Sequence, residues 1–286
     1  MPSTIDIRRR IRSVKSTQQL TKAMKMVAAA KLRRAQERMM SARPYAAALR
    51  KVLSSLSSRV DISKHPLLQE REQENKVLLL VVTADRGLCG AFNTNVLRAA
   101  QNAIADKRWQ EVHLLPIGRK AFDFFKRRPQ PIRRQATQVY QALSLETARE
   151  IATTLTEDFV SGEFDAVYVL YNEFRSIIAQ RVTLERLLPL DRSFTETAEP
   201  AIEYLYEPSA EAILSDLLPK HIEFQLYRVL LESAASEQGA RMTAMEAATK
   251  NAGELIDHLT LTYNRIRQAA ITKEIIEIVS GAAAAG

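Results

Sequence analysis

Cysteine is nearly absent: Cys89 is the only one among 286 residues. A lone thiol closes no internal disulfide, so stability must come from packing, and the usage fits a reducing compartment. Long hydrophobic runs are missing too. The longest, from Val77 to Val82, is far short of the roughly 20 residues that a membrane-spanning helix needs. The amino end, MPSTIDIRRR, sets charges where a signal peptide would carry its apolar core, so export is not expected. Four histidines (His65, His113, His221, His258) lie far apart, and no Cys/His spacing suggests a metal. Glycine, at 8 residues, and aromatics, at 6%, are both scarce.

Alanine and leucine are abundant instead, which leans towards helix. The formal net charge of +8 is unevenly placed. Residues 1–60 hold fifteen Lys/Arg against two Asp/Glu, a net of +13, whereas residues 209–286 hold seven basic and ten acidic side chains, a net of −3. The basicity belongs to one segment.

That segment has a regular period. From Ala28 through Leu32, Ala35, Met39, Ala42, Ala46, Leu49, Leu53, Leu56 and Val60, the steps alternate four and three, the spacing of a coiled-coil seam. Carried backwards, the phase passes through polar Lys25, Thr21 and Gln18 before rejoining Val14, Ile11 and Ile7. Pro44, which lacks an N–H donor, should bend or loosen this helix. The carboxy-terminal segment repeats the rhythm through Tyr227, Leu231, Ala234, Met245, Ala248, Ala252, Leu255, Leu259, Ile266, Ala269 and Ile276. A helix is expected there from about Pro219 to Ser280. Neither helix is stable alone in water, because long helices depend on burying an apolar face. Two seams of opposite charge bias at the two ends of the chain predict an antiparallel pair.

Residues 76–190 read differently. Strand-like runs at Val77–Ala84, Glu111–Gly118, Asp165–Tyr171 and Ile178–Leu187 alternate with helical stretches at 93–107, 120–126 and 145–160, with a weak strand near Thr137–Tyr140. Such alternation predicts a mostly parallel sheet with helices on both faces. The expected fold is a mixed one, α/β with α+β character. A Rossmann-like α/β domain (76–190) is inserted between an N-terminal coiled-coil helix (1–60) and a C-terminal one (209–286) packed antiparallel on it. Polar connectors, His65–Lys76 and Leu190–Pro200, join the parts.

No catalytic constellation is evident. The loop ADRGLCGAFN (84–93) links strand to helix, where phosphates often bind. Yet it matches neither GxxxxGK[ST] nor GxGxxG, so a tight turn needing Gly87 and Gly90 is the better reading. Cys89 is better read as a packed small residue than a reactive thiol, and Asp85 with Glu173 has no support as a carboxylate pair. The basic run could track nucleic-acid phosphates, but Tyr45 is its only aromatic. A solvated face and an acidic protein partner explain it equally well.

Three motifs, IRRRIRSVKSTQQLTKAMKMVAAAKLRRAQ (7–36), TADRGLCGAFN (83–93) and SEQGARMTAMEAATKNAGELI through YNRIRQAAITKEIIEIVSG (236–281), resemble the gamma subunit of bacterial-type rotary ATP synthases along the whole chain. The resemblance implies a non-catalytic rotor shaft without cofactor. Its coil would turn inside a ring of three alpha and three beta subunits, and its globular end would rest on the c-subunit ring beside the epsilon subunit. It implies contacts to the catalytic ring at Met24, with Lys22 and Lys25 as electrostatic companions, and at Arg267, Gln268 and Thr272. Tyr204 and Glu207 resemble foot residues facing the c ring. A peripheral place on the cytoplasmic face of the bacterial inner membrane is implied, with membrane contact only through the complex and no nucleic-acid partner. The paired cysteines of the chloroplast redox insert are missing. The alternative from another class is a basic coiled-coil nucleic-acid-binding protein.

Overall fold

The computed structural model describes residues 3–57, 60, 65–106, 108–191, 207 and 209–285. The elements run α1 (Thr4–Ser57), β1 (Lys76–Val82), α2 (Phe92–Ala105), β2 (Glu111–Ile117), α3 (Arg119–Phe125), α4 (Leu145–Val160), β3 (Ala166–Phe174), β4 (Gln180–Leu188) and α5 (Ala210–Ala285). Two compact units emerge, one of residues 1–28 with 242–286 and one of residues 29–241.

Local chemistry sets the helix starts. Ser3 and Asp6 form a reciprocal cap on α1: the Asp6 amide donates to Ser3 Oγ at 3.2 Å, and the Ser3 amide to Asp6 Oδ2 at 3.3 Å. Ser209 Oγ accepts from the Ala212 amide at 3.2 Å, so α5 starts at Ala210 rather than near Pro219. The helix continues through Pro219, as α1 does through Pro44.

In the first unit the helices pair antiparallel. Arg8 Nη2 donates to Tyr263 Oη at 2.5 Å, Gln18 Nε2 to the Thr249 carbonyl at 3.5 Å, and Lys25 Nζ to Glu246 Oε1 at 2.6 Å. Ile7, Thr21, Ala28, Met245 and Ala252 are buried on the expected seam. Leu255 is not; it is 46% exposed. With Gln18 beside Gly253, the register sets Leu255 opposite small Ser16, which offers no apolar volume to cover it.

The second unit holds a four-stranded sheet in the order β2-β1-β3-β4. β1 pairs parallel with β2 and β3, whereas β4 runs antiparallel to β3. Only residues 175–179 separate the last two strands, too few for the crossover a parallel strand requires. The near-continuous apolar β1 is buried on both faces. Val77, Leu79 and Val81 meet Val96 and Ala100 of α2 and Ala121 and Phe125 of α3. Leu78, Leu80 and Val82 share a core with Leu155 of α4, Leu53 and Leu56 of α1, and Leu218, Ile222, Leu226 and Val229 of α5.

The weak strand expected at 137–140 is a short 3-10 turn, Val139–Gln141, entered through Gln138 in the left-handed region (φ 63). Just before it, Ile132 and Ala136 bridge to β2. At the end of β2, Gly118 (φ 90) lies so close to Thr83 that a Cβ would fall 2.0 Å from its carbonyl oxygen, so no side chain is tolerated there.

Candidate partner-binding surfaces

The polar stretch of the α1 seam is satisfied from within the chain. Thr21 and Thr249 hydroxyls meet at 2.8 Å, and each has a backbone carbonyl of its own helix in reach. Lys25, expected as an electrostatic companion for a partner, is already paired with Glu246. Lys22 is exposed, and Met24 is half-buried beside exposed Leu20 and Val27. Leu20, Met24 and Val27 follow helical spacing, so they form one apolar stripe on a basic helix.

Tyr263 lies near the end of the seam, one turn before half-buried Ile266. Its ring lies between the Arg8 and Arg267 guanidiniums, at 5.5 and 5.9 Å from the centroid. Arg8 faces Tyr263, so Thr4, where α1 begins, faces Arg267. Past that point α5 has no α1 residue beside it. Ile271, Ile275, Ile276, Ile278 and Val279 are 48–72% exposed and Ala269 is exposed as well, so the seam period that runs on through Ala269 and Ile276 is not matched by burial. Arg267, Gln268 and Thr272 are exposed on the same bare stretch, and Thr272 Oγ1 donates back to the Gln268 carbonyl at 3.0 Å. The structure therefore keeps these three together and separate from Met24, Lys22 and Lys25 on α1. Glu207 is exposed; Tyr204 lies outside the described residues. Arg8, Tyr263 and Glu246 carry no sequence signal for their contacts, because the pairing depends on the register of two segments far apart in the chain.

The β1–α2 loop spends its polar groups internally. Asn93 Oδ1 accepts from the Ala84 amide at 2.9 Å, while its Nδ2 reaches Cys89 Sγ at 3.2 Å and the Arg86 carbonyl at 3.4 Å. Asp85 Oδ1 accepts from the amides of Arg119 and Gln138, both at 3.0 Å. Glu173 pairs with Arg175 at 3.0 Å, so the carboxylates of Asp85 and Glu173 are engaged apart. Gly90 takes a left-handed φ of 56, but Gly87 does not, and Leu88 does (φ 61). The turn therefore needs one of the two glycines conformationally. Cys89 is buried, and burial pushes its thiol up, which disfavours the reactive thiolate. Among the described residues no group of His, Cys, Asp and Glu could hold a metal ion. A surface hollow of about 340 Å³ between α2 and the α3 end, lined by Ile104, Phe125, Arg128 and Pro129, holds no carboxylate, histidine or thiol.

Comparison with known proteins supplies what this geometry does not. The family described as ATP synthase matches residues 3–285. The ATP synthase gamma chain of Chlorobaculum tepidum is 51% identical over 288 residues, spanning 99% of this chain and 98% of that one. That of Geobacter metallireducens is 52% identical over 284 residues with the same coverage. The chain belongs to the ATP synthase gamma chain family. Gamma chains are non-catalytic subunits of a membrane-associated complex, and this chain is one of them. No helix among the described residues is long and apolar enough to cross a membrane. The gamma-chain fold also recurs among solved structures. A chain of the Tetrahymena thermophila mitochondrial ATP synthase central stalk and c ring superposes with a TM-score of 0.62 at 26% identity, over 80% of this chain and 99% of that one. A chain of the Euglena gracilis mitochondrial enzyme reaches 0.67 at 22% identity, over 98% and 94%. The nucleic-acid alternative finds no support among these gamma-chain relatives.

Proposed function

We propose that this chain is the central rotor shaft of an F-type ATP synthase. It couples ion flow through the membrane sector to the conformational cycle of the catalytic beta subunits. Identity of about half the residues to gamma chains along the whole length carries this reading. The bare end of α5 adds a physical reason. A single helix with five exposed Ile and Val side chains needs an enclosing apolar surface, and a ring of three alpha and three beta subunits would provide one. Small, weakly hydrogen-bonding side chains at the tip would let such a collar turn past it.

On this reading Met24, Lys22 and Lys25 face the catalytic ring from α1, and Arg267, Gln268 and Thr272 face it from α5. The exposure of the α5 trio supports hydrogen bonding to a partner. Tyr204 and Glu207 belong to the foot, which meets the c ring and the epsilon subunit. The division into an N-terminal coil helix (1–60), an inserted α/β domain (76–190) and a C-terminal coil helix (209–286) follows the same logic. The complex would sit at the cytoplasmic face of a bacterial cell membrane, with this chain touching the membrane sector through its partners alone.

The test is reconstitution with the matching alpha and beta subunits. One copy should co-purify with each hexamer and raise its ATPase activity. A chain that stays separate from the hexamer would overturn the proposal.

A further inference from the structure

Within the second unit, whose sheet and flanking helices form the α/β body, residues 235–241 of α5 are gripped from two sides by loops from the same end of the sheet. The first grip comes from the β1–α2 loop. Arg241 Nη1 binds Glu237 at 2.6 Å one turn back, and its Nη2 donates to the Gly87 carbonyl at 3.2 Å. Both side chains are almost fully enclosed, 12% and 8% exposed. Below them Cys89, Ala84 and Phe92 pack against Ala240. The second grip comes from the β3–β4 turn. A Cβ on Gly239 would stand 3.3 Å from the Ile177 carbonyl oxygen and 3.5 Å from the Phe174 ring. Phe174 also packs with Leu32 and Ala35 of α1 and Ala235 of α5, so one ring touches both long helices.

The features are costly in isolation. A buried ion pair is a weak source of stability, and glycine inside a helix lowers it by roughly 1 kcal/mol. Each makes sense where a helix must be seized tightly by its surroundings: glycine lets a backbone come within contact distance, and a forked guanidinium ties two elements at once. Asn93 and Asp85 stiffen the first loop from behind.

We propose that Gly239 and Arg241 are positioning residues that fasten α5 to the α/β body, so that turning force carried along this helix is delivered to the body without slip. This rests on the rotor-shaft reading. Coupling of this kind runs through contiguous packed and hydrogen-bonded groups, and these are the groups that join α5 to the two loops.

The experiment uses the complete rotary complex with a bead attached to the body through Gln101→Cys, an exposed α2 position; the native Cys89 is buried. Thermal angular fluctuation is recorded in the stalled complex for wild type, Arg241→Met, Gly239→Val and the exposed-surface control Lys250→Met. The expected result is a fluctuation amplitude increased about twofold or more in the first two variants, an intermediate value for Arg241→Lys, and no change in the control, with ATP hydrolysis altered less than about twofold. Unchanged amplitude in both clamp variants would overturn the proposal. If a variant does not assemble, amide exchange of the free chain decides. The hydrogen-bonded amides of Ala84 and Phe92, at the two ends of the first loop, should lose protection in Arg241→Met, and those of Ser176 and Ala179 in Gly239→Val, while β1 keeps its own; unchanged protection in both loops again overturns it. Failure of the unaltered chain to join the hexamer would instead sink the rotor reading and leave the exchange measurement standing.

Discussion

Lys25 of α1 and Glu246 of α5 meet at 2.6 Å across the helix pair, in a layer with the Thr21–Thr249 hydroxyl contact. One side chain comes from the segment with a net of +13 and the other from the segment with a net of −3. Both are substantially exposed, at 36% and 60%, and a pair of that kind is worth under about 1 kcal/mol. Its value is directional: together with Gln18 on Gly253 it makes other registers of the two helices less favourable.

Thr21 and Thr249 should be energetically coupled. Replacing either by Val leaves the other hydroxyl with only its own helix carbonyl, at a cost of about 1 kcal/mol. The double variant should cost less than the sum of the singles. Urea unfolding of the four proteins checks this; strict additivity would mean that the contact is incidental.

Much of the long-helix pattern could be read directly from the sequence. The four-three phase carried through Gln18, Thr21 and Lys25 is followed by burial of Thr21 and half-burial of the other two. What could not be read is the second buried face of α5. Ile222, Leu226, Val229, Ser233 and Ser236 are buried and recur at the same period on a face away from the first stripe, with half-buried Ala240 next in phase, but two of them are serines. A hydropathy count passes over a small polar residue that packs as tightly as alanine. Arg228 binding Glu185 at 2.5 Å and Glu232 at 3.0 Å was likewise invisible, since it depends on where β4 lands after reversing direction. The partner-facing residues are legible only through the family resemblance; neither Arg267 nor Gln268 carries a local signal that marks it as a contact.

His221 should make the body acid-sensitive. Burial, with repulsion from Arg50 and Arg228, holds its imidazole down at about 4, against an ordinary value of 6.5. A histidine with a depressed folded value is neutral in both states above 6.5, so its contribution is fully present there. It is lost as pH falls from 6.5 towards 4. Between pH 7 and pH 5 the loss is on the order of 2 kcal/mol. Unfolding free energies of wild type and His221→Gln at both pH values test this, and the variant should show that much less decline.

Two glycines should respond oppositely to alanine. Gly118→Ala drives a Cβ into the Thr83 carbonyl in a left-handed backbone, and should cost at least about 2 kcal/mol. Gly87→Ala meets nothing within 4 Å and has no positive φ, so it should fall within about 0.5 kcal/mol of wild type or be slightly stabilising. Equal destabilisation by both would contradict the structure.

Gln268→Ala combined with Thr272→Ala should leave the melting temperature of the free chain unchanged, because both residues are exposed on the bare part of α5. In the reconstituted complex the same double variant should lower ATPase activity severalfold, as loss of two partner hydrogen bonds at about 1 kcal/mol each implies. Wild-type activity would argue against the proposed contact.

The uncovered stretch from Ile271 to Val279 also bears on how the protein must be supplied. A free copy carries an adhesive end that can find other copies, or any other oily surface, as readily as its proper socket. Synthesis in step with the subunits that enclose it, or shielding until they arrive, is therefore a requirement written into the helix itself, and surplus chain should clump in proportion to its concentration.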